Sequence, residues 1–340
     1  MFNKTNVNMT SSDLTSEQSS NPVLITTSVF IPICTAIFVL NVLALAVLLK
    51  SKKLKKNRFY RLTFVLSISD IIFSITFALV MITNLLLRIK DIRVPYLCTG
   101  STLLTSFTVL FSLILVLFIC FERLLATFPK AQANKWSNIY NFLIVGSLVV
   151  TGAYCSLIHV LFEDKQSHDC EVTSLFGNNL WKYQLSLGVV HLIIFMSILI
   201  VYGLVVRRIW NRRIPQKTII RQTERTPLNL TTVRHNRISP KKNTANLKPI
   251  GGRDQRGRNH ANRSINLRNA LHTLGFIIAA MVVSTLLPVT VNLMSALTTG
   301  VVSPHVLAYV NGLFLINPLC DPIIYVLRIK EFRRFISCSK

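Results

Sequence analysis

Acidic residues are scarce in this chain, 13 Asp and Glu against 38 Lys and Arg in 340 residues, for a formal net charge of +25. Charged residues make up only 15% of the sequence and hydrophobic ones 51%. Soluble domains carry about 25% charge, so an ordinary soluble fold is excluded. Metal-ligand spacing, a nucleophile elbow and a phosphate-binding glycine loop are all missing, and no enzyme activity is indicated. The first 20 residues, MFNKTNVNMTSSDLTSEQSS, lack the apolar core of a cleaved signal peptide. The first apolar run is therefore expected to act as the insertion signal. Inverted repeats and interrupted midplane segments are also lacking, which argues against a transporter or channel.

What the chain does have is seven long apolar runs, at about 23–49, 62–87, 98–120, 139–162, 183–206, 273–299 and 306–327. A helix needs roughly 20 apolar residues to cross a bilayer, and backbone groups in hydrocarbon must bond within their own helix. The expected fold is an all-α membrane protein, a seven-transmembrane helix bundle. An N-terminal segment 1–22 precedes the membrane domain 23–328, which includes a long basic loop at 207–268. The tail 329–340 holds KEFRRF, expected to form a short amphipathic membrane-surface helix.

Charge sets the orientation. The connection after the first run reads KSKKLKKNRFYR, and that after the third contains Lys130 and Lys135. Segment 207–268 carries 17 Lys and Arg against Glu224 and Asp254, and the tail adds Arg328, Lys330, Arg333, Arg334 and Lys340. Of the alternate connections, one reads EDKQSHDCE and 298–304 has no charge. By the positive-inside rule the N-terminus is outside the plasma membrane and the C-terminus cytoplasmic. The basic excess therefore meets anionic lipids of the inner leaflet, at about 1 kcal/mol per residue, rather than nucleic acid, whose binders spread Lys and Arg over a folded surface. Glycosylation sequons at Asn3 and Asn8 fall on the outer side, although Asn229 and Asn262 fit the same pattern on the inner side. Cys34, Cys120, Cys155 and Cys320 lie within spans as core fillers. Cys98 and Cys170 both face the oxidising side, where a disulfide between them is expected. Cys338 is either a palmitoylation site or a free tail thiol.

Asp70 and Asp321 are the only formally charged residues inside the spans. Asp70 lies nine residues inside Arg61, roughly 13 Å deep. A lone carboxylate there costs about 2.5–3.5 kcal/mol, so it must face the bundle and find partners. From Cys98 to Arg123 is 25 residues, roughly 37 Å of helix. One helix thus carries a cysteine at the outer face and an arginine at the inner face.

Leu40-Asn41, LSISD ending at Asp70, Cys98 through Glu122-Arg123, Tyr202, Leu286-Leu287-Pro288 and NPLCDPIIY over 317–325 occur in an order and spacing that resembles the rhodopsin-like G-protein-coupled receptors. The resemblance spans about 22–338 apart from the long inner loop. It implies a receptor that senses an extracellular ligand and activates heterotrimeric G proteins by outward movement of helix 6. Glu122 and Arg123 match the coupling switch toward which Tyr202 and Tyr325 move. Asn41, Asp70, Ser112, Asn317 and Asp321 match a polar core that holds sodium in the inactive state. Here Asp321 replaces an Asn, so two carboxyls share either a cation or a proton; a structural cluster without an ion is the alternative. Pro288 and Pro322 are expected helix kinks. The ligand pocket is expected at Thr105, Ser106, Val109, Ser186, Val190, Val289, Thr290 and Asn311. No acid stands at Thr105 and no Lys at Leu315, which argues against a biogenic amine and against retinal. A peptide or a neutral small molecule or lipid suits the pocket. His191 is either a ligand contact or a core histidine.

The chain also departs from the family pattern. Leu124 follows the arginine in place of Tyr, and Arg268 stands where helix 6 often supplies an acid. Leu286 replaces the helix 6 Trp, Val282 the aromatic one turn earlier, and Ile194 the helix 5 Pro. The output end looks intact and the trigger atypical, so weak or constitutive coupling is the alternative reading.

Overall fold

A computed structural model describes residues 12–328, except 53, 55–57, 91–93, 129–138, 165–171, 225–274, 277 and 299–303. All its elements are helical: α1 (Ser12–Lys50), α2 (Arg58–Lys90), α3 (Pro95–Ala126), α4 (Ile139–Phe162) and α5 (Leu180–Glu224) come first. The sixth helix, α6, is a π-helical turn Val282–Leu286 running into Leu287–Leu297. The seventh, α7, comprises Pro304–Gly312, a 3-10 turn Leu313–Leu315 and Ile316–Arg328. Between α4 and α5 lie a one-turn helix Val172–Phe176 and a 3-10 turn Gly177–Asn179. The helix of the first apolar run starts at Ser12, earlier than the apolar stretch itself, and that of the fifth runs on to Glu224.

Six of these helices are long and apolar enough to cross a membrane, judged on length and composition. The seventh is divided into pieces of 9, 3 and 13 residues. The tail expected to form an amphipathic surface helix lies outside the described residues.

The helices close into a ring. α1 packs on α2, α2 on α3, α3 on α4 and α5, α5 on α6, and α7 returns to α1 and α2. Solvation is reversed relative to a soluble bundle. Phe142, Val145, Val149 and Val160 of α4 are exposed, whereas Asn41, Ser67 and Asp70 are almost fully buried. Hydrocarbon accepts the first set at no cost, and only the interior offers partners to the second. Toward the Arg123 end, Leu48, Leu62, Leu66, Leu115, Ile198 and Met281 fill the core.

The two expected prolines mark irregularities. Pro288 has no N–H, so the carbonyl one turn earlier loses its helical partner; the wide turn Val282–Leu286 directly precedes it. Such single π turns are how a helix absorbs a break in its ladder. Pro322 lies inside the last segment of α7.

Candidate functional site

At the Cys98 end the bundle encloses a cavity of about 300 Å³. From α2, Phe73, Phe77, Val80, Met81 and Asn84 line it, spaced three and four apart as one helix face requires. Thr102, Thr105, Ser106 and Val109 contribute from α3. Across from them stand Leu180, Tyr183, Gln184, Leu187, Gly188 and His191 of α5. Val289 and Asn292 of α6 and Leu307, Asn311 and Phe314 of α7 complete the wall. None of these lining residues is Asp, Glu, Lys or Arg.

Two side-chain bridges cross this wall. The Ser106 and Tyr183 hydroxyls are hydrogen-bonded at 2.7 Å, tying α3 to α5. Asn292 Nδ2 donates to Asn311 Oδ1 at 2.6 Å and to Pro288 O at 2.8 Å, tying α6 to α7 beside the proline. Behind Tyr183, the Phe176 ring stacks on it at 3.8 Å and His159 meets both rings edge-on. The loop turn is thereby packed against the cavity wall.

Of the expected pocket residues, Thr105, Ser106, Val109, Val289 and Asn311 line the cavity, while Ser186, Val190 and Thr290 do not. The reason is helical phase. On α5 the inward stripe runs through positions 184, 187, 188 and 191, which leaves Ser186 and Val190 off the stripe. Ser186 instead offers its carbonyl to Tyr154 Oη at 2.9 Å. Thr290 is exposed, with its hydroxyl donated to Leu287 O at 2.9 Å. The α2 wall and Asn292 escaped the sequence reading, although the stripe at 73, 77, 80, 81 and 84 is legible as one face.

Below the cavity is a polar core. Asp70 and Asp321 are 1% and 3% exposed and close enough to interact as charges. Asp70 lies within hydrogen-bonding reach of Asp321 and Ser112, although neither of its oxygens, nor Asp321 Oδ2 or Asn41 Oδ1, has a partner of good geometry among the described residues. Asn41 Nδ2 donates to Ile37 O at 3.1 Å and to Pro318 O at 3.0 Å, fixing α1 to α7. Ser112 shares a 3.0 Å hydrogen bond with Ser69. A void of about 20 Å³ is bordered by Asp70, Ser112, Thr285, Asn317 and Pro318, enough for one water-sized guest. Phe73, Val109, Leu113 and Phe314 also border the void and Asp321 does not, so the side-chain oxygens of Asp70, Ser112, Thr285 and Asn317 offer a small hard cation ligands on part of the wall.

At the far end Arg123 Nε lies 3.3 Å from Glu122 Oε2, and its guanidinium sits 4.4 Å from the centre of the Phe59 ring of α2. Phe59 was not singled out from the sequence. Tyr325 is buried beside Ser67 and within electrostatic reach of both carboxyls. Tyr202 points elsewhere: a Cβ on Gly275, at the start of the sixth helix, would lie 3.2 Å from its hydroxyl. Arg208 stacks on Phe128 at 3.5 Å nearby. Cys98 is disulfide-bonded. Its expected partner Cys170 lies outside the described residues, as do Asn3, Asn8, Cys338 and Arg268.

A ring of apolar helices with an uncharged cavity at one end, a buried carboxyl pair in the middle and an arginine at the other end has the layout of a helical membrane receptor. The family model for the 7 transmembrane receptor (rhodopsin family) matches residues 40–325, and the chain belongs to that family. Compared with curated proteins, it has no match.

Proposed function

We propose that this rhodopsin-family receptor takes an uncharged extracellular ligand into the 300 Å³ cavity and activates a heterotrimeric G protein through outward movement of the inner half of the sixth helix. The observation that carries this reading is continuity. The cavity, the carboxyl pair and Arg123 lie along one bundle, and the cavity wall includes Asn292, which is bonded to the carbonyl of Pro288. A ligand pressing on α6 there acts next to the π turn, where the ladder is already open. The N-terminus is taken as extracellular and the basic 207–268 connection as cytoplasmic, against anionic lipid.

The cavity chemistry supports a peptide side chain or a neutral small molecule or lipid. An ammonium ligand would find no carboxylate among the lining residues, and burying an unpaired charge is costly. In the polar core, Asp70 and Asp321 would hold a sodium ion with Ser112, Asn41 and Asn317 around it, or else share a proton. Two facing carboxyls cannot both stay charged and unpaired where water is excluded; a bound sodium ion supplies the compensating charge and so favours the resting arrangement. If sodium is held, Asp70→Asn removes any sodium dependence of ligand affinity or basal activity. Wild-type activity that ignores sodium between low and physiological concentration overturns the cation reading and leaves the shared proton.

Constitutive coupling is the second reading, favoured by one observation: Arg268 stands where helix 6 of the family often supplies an acid. Both readings are tested by G-protein dissociation in cells expressing the wild type or Arg123→Ala, with and without ligand. Loss of signal in Arg123→Ala is the expected outcome. A wild type with neither basal nor ligand-driven dissociation across the G-protein subtypes refutes both.

A further inference from the structure

On the cavity wall Thr105, Ser106, Tyr183, Asn292 and Asn311 are hydrogen-bonded within the protein. Asn84 and Gln184 make no side-chain hydrogen bond among the described residues, and two buried polar atoms at opposite ends are left without a partner there. On α3, Thr105 donates its hydroxyl to Ser101 O at 2.7 Å and Ser106 donates to Thr102 O at 3.0 Å. Thr102 itself does not follow this pattern. The carbonyl one turn behind it, on Cys98, accepts from Ser101 at 3.0 Å. Thr102 Oγ1 is buried without a hydrogen-bond partner among the described residues. At the other end stands His191, 5% exposed and packed against Phe314. Its Nε2 is likewise buried and unpartnered among those residues.

The chemistry of the His191 ring fixes what is missing. Nδ1 lies 2.7 Å from the Leu187 carbonyl, and a carbonyl only accepts, so Nδ1 carries the hydrogen. Among the described residues no acid lines the cavity to balance an imidazolium, and a buried unpaired charge is costly. The ring is neutral, and Nε2 is therefore a bare lone pair. A buried acceptor of this kind calls for a donor.

The two orphans are far apart. Val109 borders both the cavity and the small void below it, as does Phe314 beside His191, which puts His191 at the floor. Thr102 precedes Val109 by seven residues on α3, roughly 10 Å of helix. Between them the wall is largely aromatic and aliphatic, with Phe73, Phe77, Met81, Leu187 and Val289.

We propose that the ligand is an uncharged, elongated and mainly apolar molecule with a hydrogen-bond donor at its deep end, a hydroxyl or amide N–H received by His191 Nε2, and a second polar group at its shallow end meeting the Thr102 hydroxyl. This rests on reading the cavity as the ligand site. Carboxylates are rejected because no cation lines the cavity among the described residues, and ketones or ethers because they offer His191 only a second acceptor.

The test uses the full-length receptor purified in detergent, with saturable binding and ligand-induced thermal stabilisation as readouts. The probes are 4,4′-dihydroxybiphenyl and its dimethyl ether, together with a sterol diol and its diether. Each diol is expected to bind and stabilise the wild type, and each ether to bind about ten- to hundredfold more weakly, the effect of denying a buried acceptor its donor. His191→Phe should erase the difference between diol and ether, and Thr102→Val should weaken both diols. If His191→Phe does not fold, the comparison on the wild type decides alone. Ethers that bind as well as diols, or diols of both scaffolds that fail to bind, overturn the proposal. Neither readout involves a G protein, so failure of coupling would refute the receptor function without touching this result, and the reverse also holds.

Discussion

At Gly312 α7 packs against Phe30 of α1, and replacing it with alanine measures how tightly that seam is closed. A Cβ built there would overlap Cζ and Cε1 of Phe30 and lie 3.3 Å from Cε2. The ring has little room to yield, being 7% exposed and set edge-on against Phe77 at 5.9 Å. Overpacking a core by one methyl costs about 1–3 kcal/mol, while alanine in a helix regains about 0.5–1 kcal/mol over glycine. Gly312→Ala should therefore lose about 1–2 kcal/mol, and at about 2–4 °C per kcal/mol the melting midpoint of the purified receptor falls by several degrees. A smaller residue at position 30 makes room for the methyl. In the background of Phe30→Leu, which itself destabilises, Gly312→Ala should be neutral or stabilising, giving a coupling of at least about 1 kcal/mol in the double-mutant cycle. If the two changes add independently, or if Gly312→Ala melts with the wild type, the contact is not what requires glycine and the argument fails.

The large features were legible because they rest on periodicity and charge. Seven apolar runs predict seven helices whether or not the last is continuous, and the 3-10 turn at Leu313–Leu315 escapes any count of apolar residues. Asp70 had to face inward because hydrocarbon offers a carboxylate nothing, and it does. Phase within a helix was less secure. Pocket positions carried over from the family pattern assume a fifth helix altered by proline, yet Ser186 and Val190 fall off the inward stripe through Tyr183, Leu187 and His191. This chain has Ile194 where the family has the proline that alters helix 5 locally. Of the contacts of Arg123, that with neighbouring Glu122 was legible and that with Phe59 was not: a cation–π contact across to α2 depends on the crossing of two helices, which sequence spacing does not encode.

Three further changes probe the loop, the switch and the trigger. Gly177 has φ +45° and a Cβ there would meet Asp164 Oδ2 at 2.9 Å, so Gly177→Ala should cost about 1–2 kcal/mol and speed hydrogen exchange across Val172–Asn179; unchanged exchange would refute the strain. Phe59→Leu removes a cation–π contact worth about 0.5–2 kcal/mol and should raise basal nucleotide exchange on the G protein severalfold, whereas equal exchange makes the Phe59 ring a passive neighbour. The last concerns Leu286: without the bulky aromatic ring that the family places before Pro288, the side chains seen joining the sixth helix to the seventh at the cavity are Asn292 and Asn311, bonded at 2.6 Å. Asn292→Ala breaks that bond, for a net of about 0.5–1.5 kcal/mol, and should raise basal exchange by about two- to tenfold at tenfold per 1.4 kcal/mol. Asn311→Ala should raise exchange as far as the shared bond accounts for, and adding it to Asn292→Ala should change nothing more, since Asn292→Ala already removes that bond along with the one to Pro288 O; independent effects, or none, would mean that the ligand signal reaches Pro288 by another route.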